Sequence, residues 1–437
     1  MKGIQIMKKA VTMLLIVSIL LLLVGCSNQN INKAENNKVV NTSNNFETVQ
    51  SGNIVLPKVK ENISQNAADL FSNFHLRDFI VVESLAQEYY GYKPSLSNGN
   101  DIYGFYNIDK NSFTEINITD ALKNWQVSSG STVVLQDRYL YEWKSYDTDY
   151  LQDKGYDVKL IKNDVKSKSS KIIDEIKSKT PLIYQCKISD KEILSYSITQ
   201  EKSQKTDYAV VTTAWIYNEK DEKREFVRER YENNTNWSDS EGTLIERFIV
   251  SKGEIYGIGR KMISGIYKFF IYHYDKDGTL LEEKNIANLE NIIGAEQFQE
   301  LFLVNDYMAF RTYESLTTYI CKITDNGVEL VMKGTDGKVQ YAISGDYLLF
   351  IESNINPENA KAESGEFPLY IIDTKKNKLC SIKHVRKLKN PYFVDFKSLS
   401  NGDLIISYCD GNEYDPSNVE QFVLTKRTLC KVAENWF

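Results

Sequence analysis

One unit recurs along this 437-residue chain: an aromatic-rich strand, a short polar turn and a second strand. It appears as YGFYNIDKNSFTEI, AWIYNEKDEKREFV, FFIYHYDKDGTLLEE, YICKITDNGVELVM, YIIDTKKNKLCSI and FVLTKRTLCKV, with a weaker copy, VKLIKNDVKSKSSKII, between the first two. With Asp109, Asp164, Asn218, Asp275, Asp325, Asp373 and Thr425 as turn markers, the intervals are 55, 54, 57, 50, 48 and 52 residues. A fixed period of this size means an array of like supersecondary units, each too small to bury its own apolar face.

A second unit precedes each hairpin, a turn followed by an alternating strand: RDFIVVES, DRYLYEWKS, DKEILSYSI, KGEIYGIGR, NDYMAFRTY, GDYLLFIES and NGDLIISYC. A further short apolar run comes before it, as in ERFIVS, ELFLV and YAIS. Alternation with period two is the signature of half-buried strands. The order is strand a, tight turn, strand b, variable loop, strand c, tight turn, strand d. Four antiparallel strands every 50 or so residues describe a β-propeller blade, so the fold class is all-β, a β-propeller of seven four-stranded blades. Six or eight blades also fit, and a pair of β-sandwiches is the rival architecture. No blade ends in a Trp-Asp dipeptide and no paired-glycine kelch signature is present, so neither of those families is indicated.

The amino terminus has a different character. Lys2, Lys8 and Lys9 precede an apolar run from Ala10 to Val24, broken by Thr12 and Ser18. Basic, then apolar, then small is the layout of a secretory signal, and the run is short for a spanning helix. At its end Leu23-Val24-Gly25-Cys26 resembles the bacterial lipobox. That resemblance implies a signal peptide over 1–25, cleavage before Cys26 and a diacylglycerol thioether on that cysteine. Two acyl chains meet the requirement for stable anchoring, since a single chain binds membranes reversibly. Residues 26–58 are polar and Asn-rich and are expected to be the lipidated end and a flexible tether. The propeller is then assigned to 59–437. Together the leader and the repeats resemble the divergent propellers of Gram-positive surface lipoproteins, which implies an extracytoplasmic, membrane-anchored protein.

Losing the leader takes the formal net charge from -6 to -9. An acidic domain repels polyanions, so no nucleic-acid partner is expected. The basic run Lys375, Lys376, Lys378, Lys383, Arg386, Lys387 and Lys389 is the local exception, and reads as a solvated turn with a lysine-protected edge strand. Besides Cys26, cysteines 186, 321, 380, 409 and 430 sit in strand-like runs at no framework spacing, so free thiols are expected.

In a propeller the b–c and d–a loops emerge at one mouth of the central channel, and recognition residues concentrate in loops free of packing duty. The b–c loops are long in blades 1, 2, 6 and 7: AQEYYGYKPSLSNGN, YDTDYLQDKG, NINPENAKAESGE and DGNEYDPSN. The candidate binding residues are Tyr89, Tyr90, Tyr92, Tyr146, Asp147, Asp149, Tyr150, Tyr414 and Asp415, with Trp237 between blades 3 and 4. Tyr and Trp provide contact area at low entropic cost and stack on sugars or clasp a peptide. Loop tyrosines also pack beneath their own loops, which is the plainer reading of each.

No metal or other cofactor is expected. Calcium at Asp147, Asp149 and Asp153, or at Asp410, Asn412 and Asp415, would need several backbone carbonyls besides. HYDKDGTLLEE reads as the blade 4 hairpin turn rather than a calcium loop. No Gly-x-Ser-x-Gly, P-loop or His-Glu-x-x-His motif is present, and His75, His273 and His384 are scattered, so an enzyme is not indicated and no catalytic residue is assigned. The expected function is recognition of a protein, peptide or glycan. The alternative is a carbohydrate-active hydrolase or lyase that uses channel carboxylates.

Overall fold

The computed structural model describes residues 48–51, 54–57, 62–63, 75–77, 79–85, 88–93, 102–107, 110–115, 126–136, 138–146, 156–164, 166–167, 169–178, 180, 182–234, 240–294, 296–335, 339–352, 368–383, 391–410 and 419–436. The signal-peptide and lipidation readings, with Cys26, lie outside them.

Seven antiparallel sheets form a ring, each with its first strand innermost. Blade 1 contains Ile80–Leu85, Glu88–Lys93, Ile102–Asn107 and Ser112–Glu115, and blade 2 begins at Gln126–Leu135. The innermost strands of blades 3 to 7 are Tyr184–Ser189, Leu244–Ser251, Phe298–Val304, Val339–Ser344 and Pro391–Ser398. The seven-bladed, all-β reading thus holds. The apolar faces cannot be buried within one sheet, so they pack blade against blade. Leu194, Tyr196 and Ile216 of blade 3 share a core with Ile245, Phe248 and Tyr272 of blade 4. Ile258 and Phe269 of blade 4 likewise meet Phe298, Met308 and Phe310 of blade 5.

The tight turns follow their sequences. Between Leu244–Ser251 and Glu254–Ile263, Lys252 and Gly253 both take positive φ, 54° and 80°, the twist that matches a two-residue hairpin. The Asp-Gly stretch of blade 4 is a hairpin between Ile266–Tyr274 and Leu280–Asn285. There Gly278 has φ 88°, and a Cβ would stand 2.1 Å from the Phe226 carbonyl oxygen.

Three sequence readings require correction. In blade 1, RDFIVVES supplies the innermost strand rather than the second, and EYYGYK, read as part of a loop, is the second strand. Aromatic residues favour strands whichever face they present, and the start of a long polar loop at Lys93 drew the boundary too early. In blade 7, FVLTKRTLCKV is not a hairpin: the third strand, Val419–Leu424, leads into the helix Lys426–Trp436. The fourth strand of that blade is His75–Arg77, antiparallel to Val419–Leu424 with Phe422 opposite His75. Joining the two ends of the chain in one sheet closes the ring and covers an edge that would otherwise be open to pairing. Third, Thr48–Ser51 and Ile54–Pro57, placed in the tether by composition, form a hairpin that pairs with the outer strand of blade 5 through Val55 and Lys333.

The outer strand of blade 6, Lys378–Lys383, is also covered, pairing in parallel with Asn62–Ile63. Its lysines therefore do not guard an open edge. Cys186, Cys321, Cys380 and Cys430 are free thiols.

Candidate functional site

Most of the residues singled out in the loops fall outside the described residues: Asp147, Asp149, Tyr150, Trp237, Tyr414 and Asp415. Tyr146 ends the second strand of blade 2. Tyr89 and Tyr90 are corrected from exposed loop positions to buried strand positions, 5% and 1% exposed. The Tyr89 hydroxyl donates to Asp403 Oδ2 at 3.1 Å, bridging blade 1 to blade 7. That of Tyr90 donates to Glu142 Oε2 at 3.2 Å, bridging blade 1 to blade 2. Asn163 Nδ2 donates to the same carboxylate at 2.9 Å, and the Lys144 ammonium lies 3.4 Å from it. These are satisfied inter-blade networks. Tyr92 is half-buried, with its ring 5.4 Å from that of Tyr103.

The polar group that packing does not explain is elsewhere. Strand LIERFIVS, the innermost of blade 4, carries two adjacent charges, Glu246 and Arg247. The ladder to the next strand shifts register between Ile245 and Arg247, a bulge at Glu246, and the two charges meet different surroundings. Glu246 is paired: Oε1 accepts from Arg260 Nε on the neighbouring strand, and Oε2 accepts from the Phe298 amide of blade 5 at 3.2 Å. Arg260 also donates to the Glu296 carbonyl at 3.0 Å.

Arg247 has no such acid. It is 7% exposed and forms no ion pair among the described residues. Its guanidinium donates to the Glu246 carbonyl at 2.5 Å, to the Gln299 carbonyl of blade 5 at 3.0 Å and, at a long 3.5 Å, to the Tyr313 hydroxyl. The Tyr184 ring of blade 3 stacks on it at 4.7 Å, and the Tyr313 ring of blade 5 lies at 5.8 Å. Above it the Tyr184 and Tyr313 hydroxyls are 3.4 Å apart. Burial works against the charge, but Tyr184, Tyr196, Tyr313 and Glu246 outweigh it and hold the guanidinium protonated. Carbonyl dipoles and a cation–π stack of about 2 kcal/mol offset only part of the several kcal/mol that an unpaired buried ion costs.

Arg247 and Gln299, whose carbonyl it grips, each keep an unsatisfied polar atom. Arg247 Nε and Gln299 Oε1 are buried without a hydrogen-bond partner among the described residues, and so is the Tyr341 hydroxyl from the innermost strand of blade 6. The Tyr341 phenol is pushed up by burial and by Glu300, while Arg311 and Arg247 act in the opposite direction. Buried polar groups are nearly always paired, so a cluster of orphans calls for explanation.

The cluster opens toward the mouth where b–c loops emerge. Tyr313 begins the short b–c loop of blade 5, which is fastened by the Gln297 amide donating to Glu314 Oε2 at 3.0 Å and by Ser315 Oγ donating to Glu296 Oε2 at 2.7 Å. Leu316 of that loop is 46% exposed. In blade 4 the b–c hairpin runs beyond its last pairing with the innermost strand, Leu244 opposite Arg260, and ends in Ile263 and Ile266, 45% and 55% exposed. The b–c loops of blades 4 and 5 thus carry exposed apolar tips.

No family model matches the chain, and no curated protein matches it in sequence. Among solved structures it is similar to an oligogalacturonate lyase from Vibrio parahaemolyticus, with 12% identity and a TM-score of 0.42, over 88% of this chain and 98% of that one. It is also similar to the β-propeller domain of the trilobed protease from Pyrococcus furiosus, with 12% identity and a TM-score of 0.40, over 77% and 96%. A third likeness is to the WD40 domain of SCAP from fission yeast, with 7% identity and a TM-score of 0.38, over 84% and 90%. Likenesses this distant bear on architecture and not on activity.

At the opposite mouth, a cleft of about 460 Å³ lies among the a–b turns of blades 4 and 5. Among its lining residues Lys252 donates to Asn305 Oδ1 at 2.6 Å, Lys375 meets Asp346 at 2.7 Å, and Glu254 lies 2.9 Å from His273 Nε2.

Sequence reasoning passed over Arg247, Tyr184, Gln299, Tyr313 and Tyr341. A signal was present, since ERFIVS places two charges in an innermost strand that is otherwise apolar.

Proposed function

We propose that the protein is a membrane-anchored extracytoplasmic lipoprotein whose propeller recognises a protein, peptide or glycan at the mouth formed by its b–c and d–a loops. The anchoring half of this reading rests on the lipobox-like sequence at Cys26. The recognition half rests on one observation: a buried guanidinium with no acid of its own, under two tyrosines from flanking blades. A polar cluster that spans three blades is poor economy for stability alone and suits a ligand that completes it.

A glycoside hydrolase or lyase would need a pair of placed carboxylates. Of the acids on the described innermost strands, Glu246 is committed to Arg260, and Glu83 to the Ser84 and Ser400 amides, both at 2.8 Å. That alternative therefore rests on acids other than these two.

Two experiments test the proposal. Cys26→Ser should move the protein from the membrane to the soluble fraction, and retention on the membrane would end the lipid-anchor reading. Cross-linked capture from intact cells, comparing wild type with a variant carrying Ile263→Asp, Ile266→Asp and Leu316→Asp, should lose a partner that wild type holds. Equal capture by both would move the binding face elsewhere.

A further inference from the structure

We propose that the Arg247 cluster is a receptor for a carboxylate carried by a peptide, an inference that rests on the recognition reading and names the chemistry of its ligand.

The sign of the ligand follows from charge. Arg247 contributes a buried positive charge that no described acid neutralises, and the nearest one, Glu246, already spends both oxygens on Arg260 and the Phe298 amide. An anion is the group that stabilises such a site, and its absence of a built-in partner means that the anion comes from outside.

The geometry points to a carboxylate. Guanidinium presents its donors as a planar fork that matches two oxygens side by side. Arg247 directs Nη1 and Nη2 to main-chain carbonyls of Glu246 and Gln299, while Nε, on the remaining edge, has no partner among the described residues. One carboxylate oxygen fits Nε, and the other meets the adjoining Nη2, where it replaces the long 3.5 Å hydrogen bond to the Tyr313 hydroxyl. Tyr184 and Tyr313 cover the guanidinium with a hydroxyl contact of 3.4 Å, long for a hydrogen bond between oxygens and so readily parted as the ligand enters.

The rim points to a peptide. Ile263, Ile266 and Leu316 are exposed aliphatic side chains on the two b–c loops beside the cluster. Branched aliphatic tips complement apolar side chains, whereas sugars are recognised by flat aromatic faces and hydroxyl partners.

The test is calorimetric titration of the purified full-length protein with N-acetyl-Leu-Gly-Leu bearing a free C-terminal carboxylate. The same peptide as its amide, an amidated peptide with an internal Asp, and galacturonate are the comparisons. The free acid or the Asp peptide should bind, and the carboxylate-free amide should bind at least about tenfold more weakly, the loss of one charge-assisted hydrogen bond. Which acid binds separates a terminal from a side-chain carboxylate. Because Arg247→Gln can disturb folding, Gln299→Glu is the second variant: it puts a carboxylate on the residue whose main-chain carbonyl Arg247 grips, and should abolish binding while the melting temperature is kept or raised. Equal binding of acid and amide, binding of galacturonate alone, no binding of any probe, or undiminished binding by Gln299→Glu would each overturn the proposal. Partner capture by the aliphatic rim would survive those outcomes, so failure here is distinguishable from failure of the recognition reading.

Discussion

Tyr184 and Tyr313 stand two blades apart, yet their hydroxyl oxygens are 3.4 Å from each other, over the guanidinium of Arg247 on the blade between. Three sheets that share no main-chain ladder are thereby tied at one point near the channel. The ties are side-chain interactions, and their removal has graded consequences.

Tyr313→Phe removes a long hydroxyl contact and keeps the ring, so stability should fall by no more than about 1 kcal/mol. Tyr184→Ala removes the closer ring from Arg247 and opens a cavity beside Tyr196, whose ring lies 5.1 Å away, and should cost about 3 kcal/mol or more. Thermal unfolding of the two variants, side by side, checks the order.

Glu246→Ala should be among the more damaging single changes, at about 3–5 kcal/mol, because it leaves Arg260 buried beside Arg247 with no acid between them. A double variant, Glu246→Met with Arg260→Met, removes both charges and should regain most of the loss. Denaturant titration of the single and double variants measures the difference, and equal losses in both would contradict the account.

Glu83 bears on pH dependence. Burial pushes its carboxyl above the ordinary 4.5, against the opposing pull of the Ser400 and Ser84 hydrogen bonds and of Lys397. A carboxyl raised in the fold holds its proton more tightly there than in the unfolded chain. Its contribution is greatest below 4.5 and declines as pH rises from there through the raised value. Glu83→Gln cannot ionise and should flatten that decline. Melting temperatures of the two proteins from pH 4 upward should converge at the acid end and separate toward neutrality.

The thiols of Cys186 and Cys321 are pushed up to about 12 by burial. Since the thiolate is the reactive form, both should resist alkylation at pH 8 in the folded protein and react at once in denaturant. The unfolded chain should show five reactive thiols besides Cys26, and fewer would reveal a disulfide that the strand positions do not anticipate.

Ring closure provides a further test. Compared with a chain that begins after Ile63, one that begins after Arg77 lacks the strand opposite Phe422, so blade 7 keeps three strands and an open edge. Its melting temperature should drop by roughly 5 °C or more, with association visible by light scattering.

Local patterns were enough to read the blades from the residues. Strands c and d of blades 1 to 6 alternate around turn residues such as Asp275 and Gly278, and both the period of alternation and the positive φ of the turn are properties of a few neighbouring residues. Blade 1 misled because Tyr89, Tyr90 and Tyr92 suit a loop or a strand equally well, and burial against Asp403 and Glu142, 314 and 52 residues away, decides between them. The candidate site was less legible still. Arg247 looks like one charge in an apolar run until Tyr184, Gln299 and Tyr313 arrive from other blades.

The chain's own order therefore determined the repeat and most of the strands and turns, because each depends on contacts within about 50 residues. Tertiary structure alone decided how the ring closes, through His75–Arg77 beside Val419–Leu424, and which polar groups are left unpaired at its centre. Closure and pairing join residues hundreds of positions apart, and whether a buried charge has a partner depends on every surface packed around it.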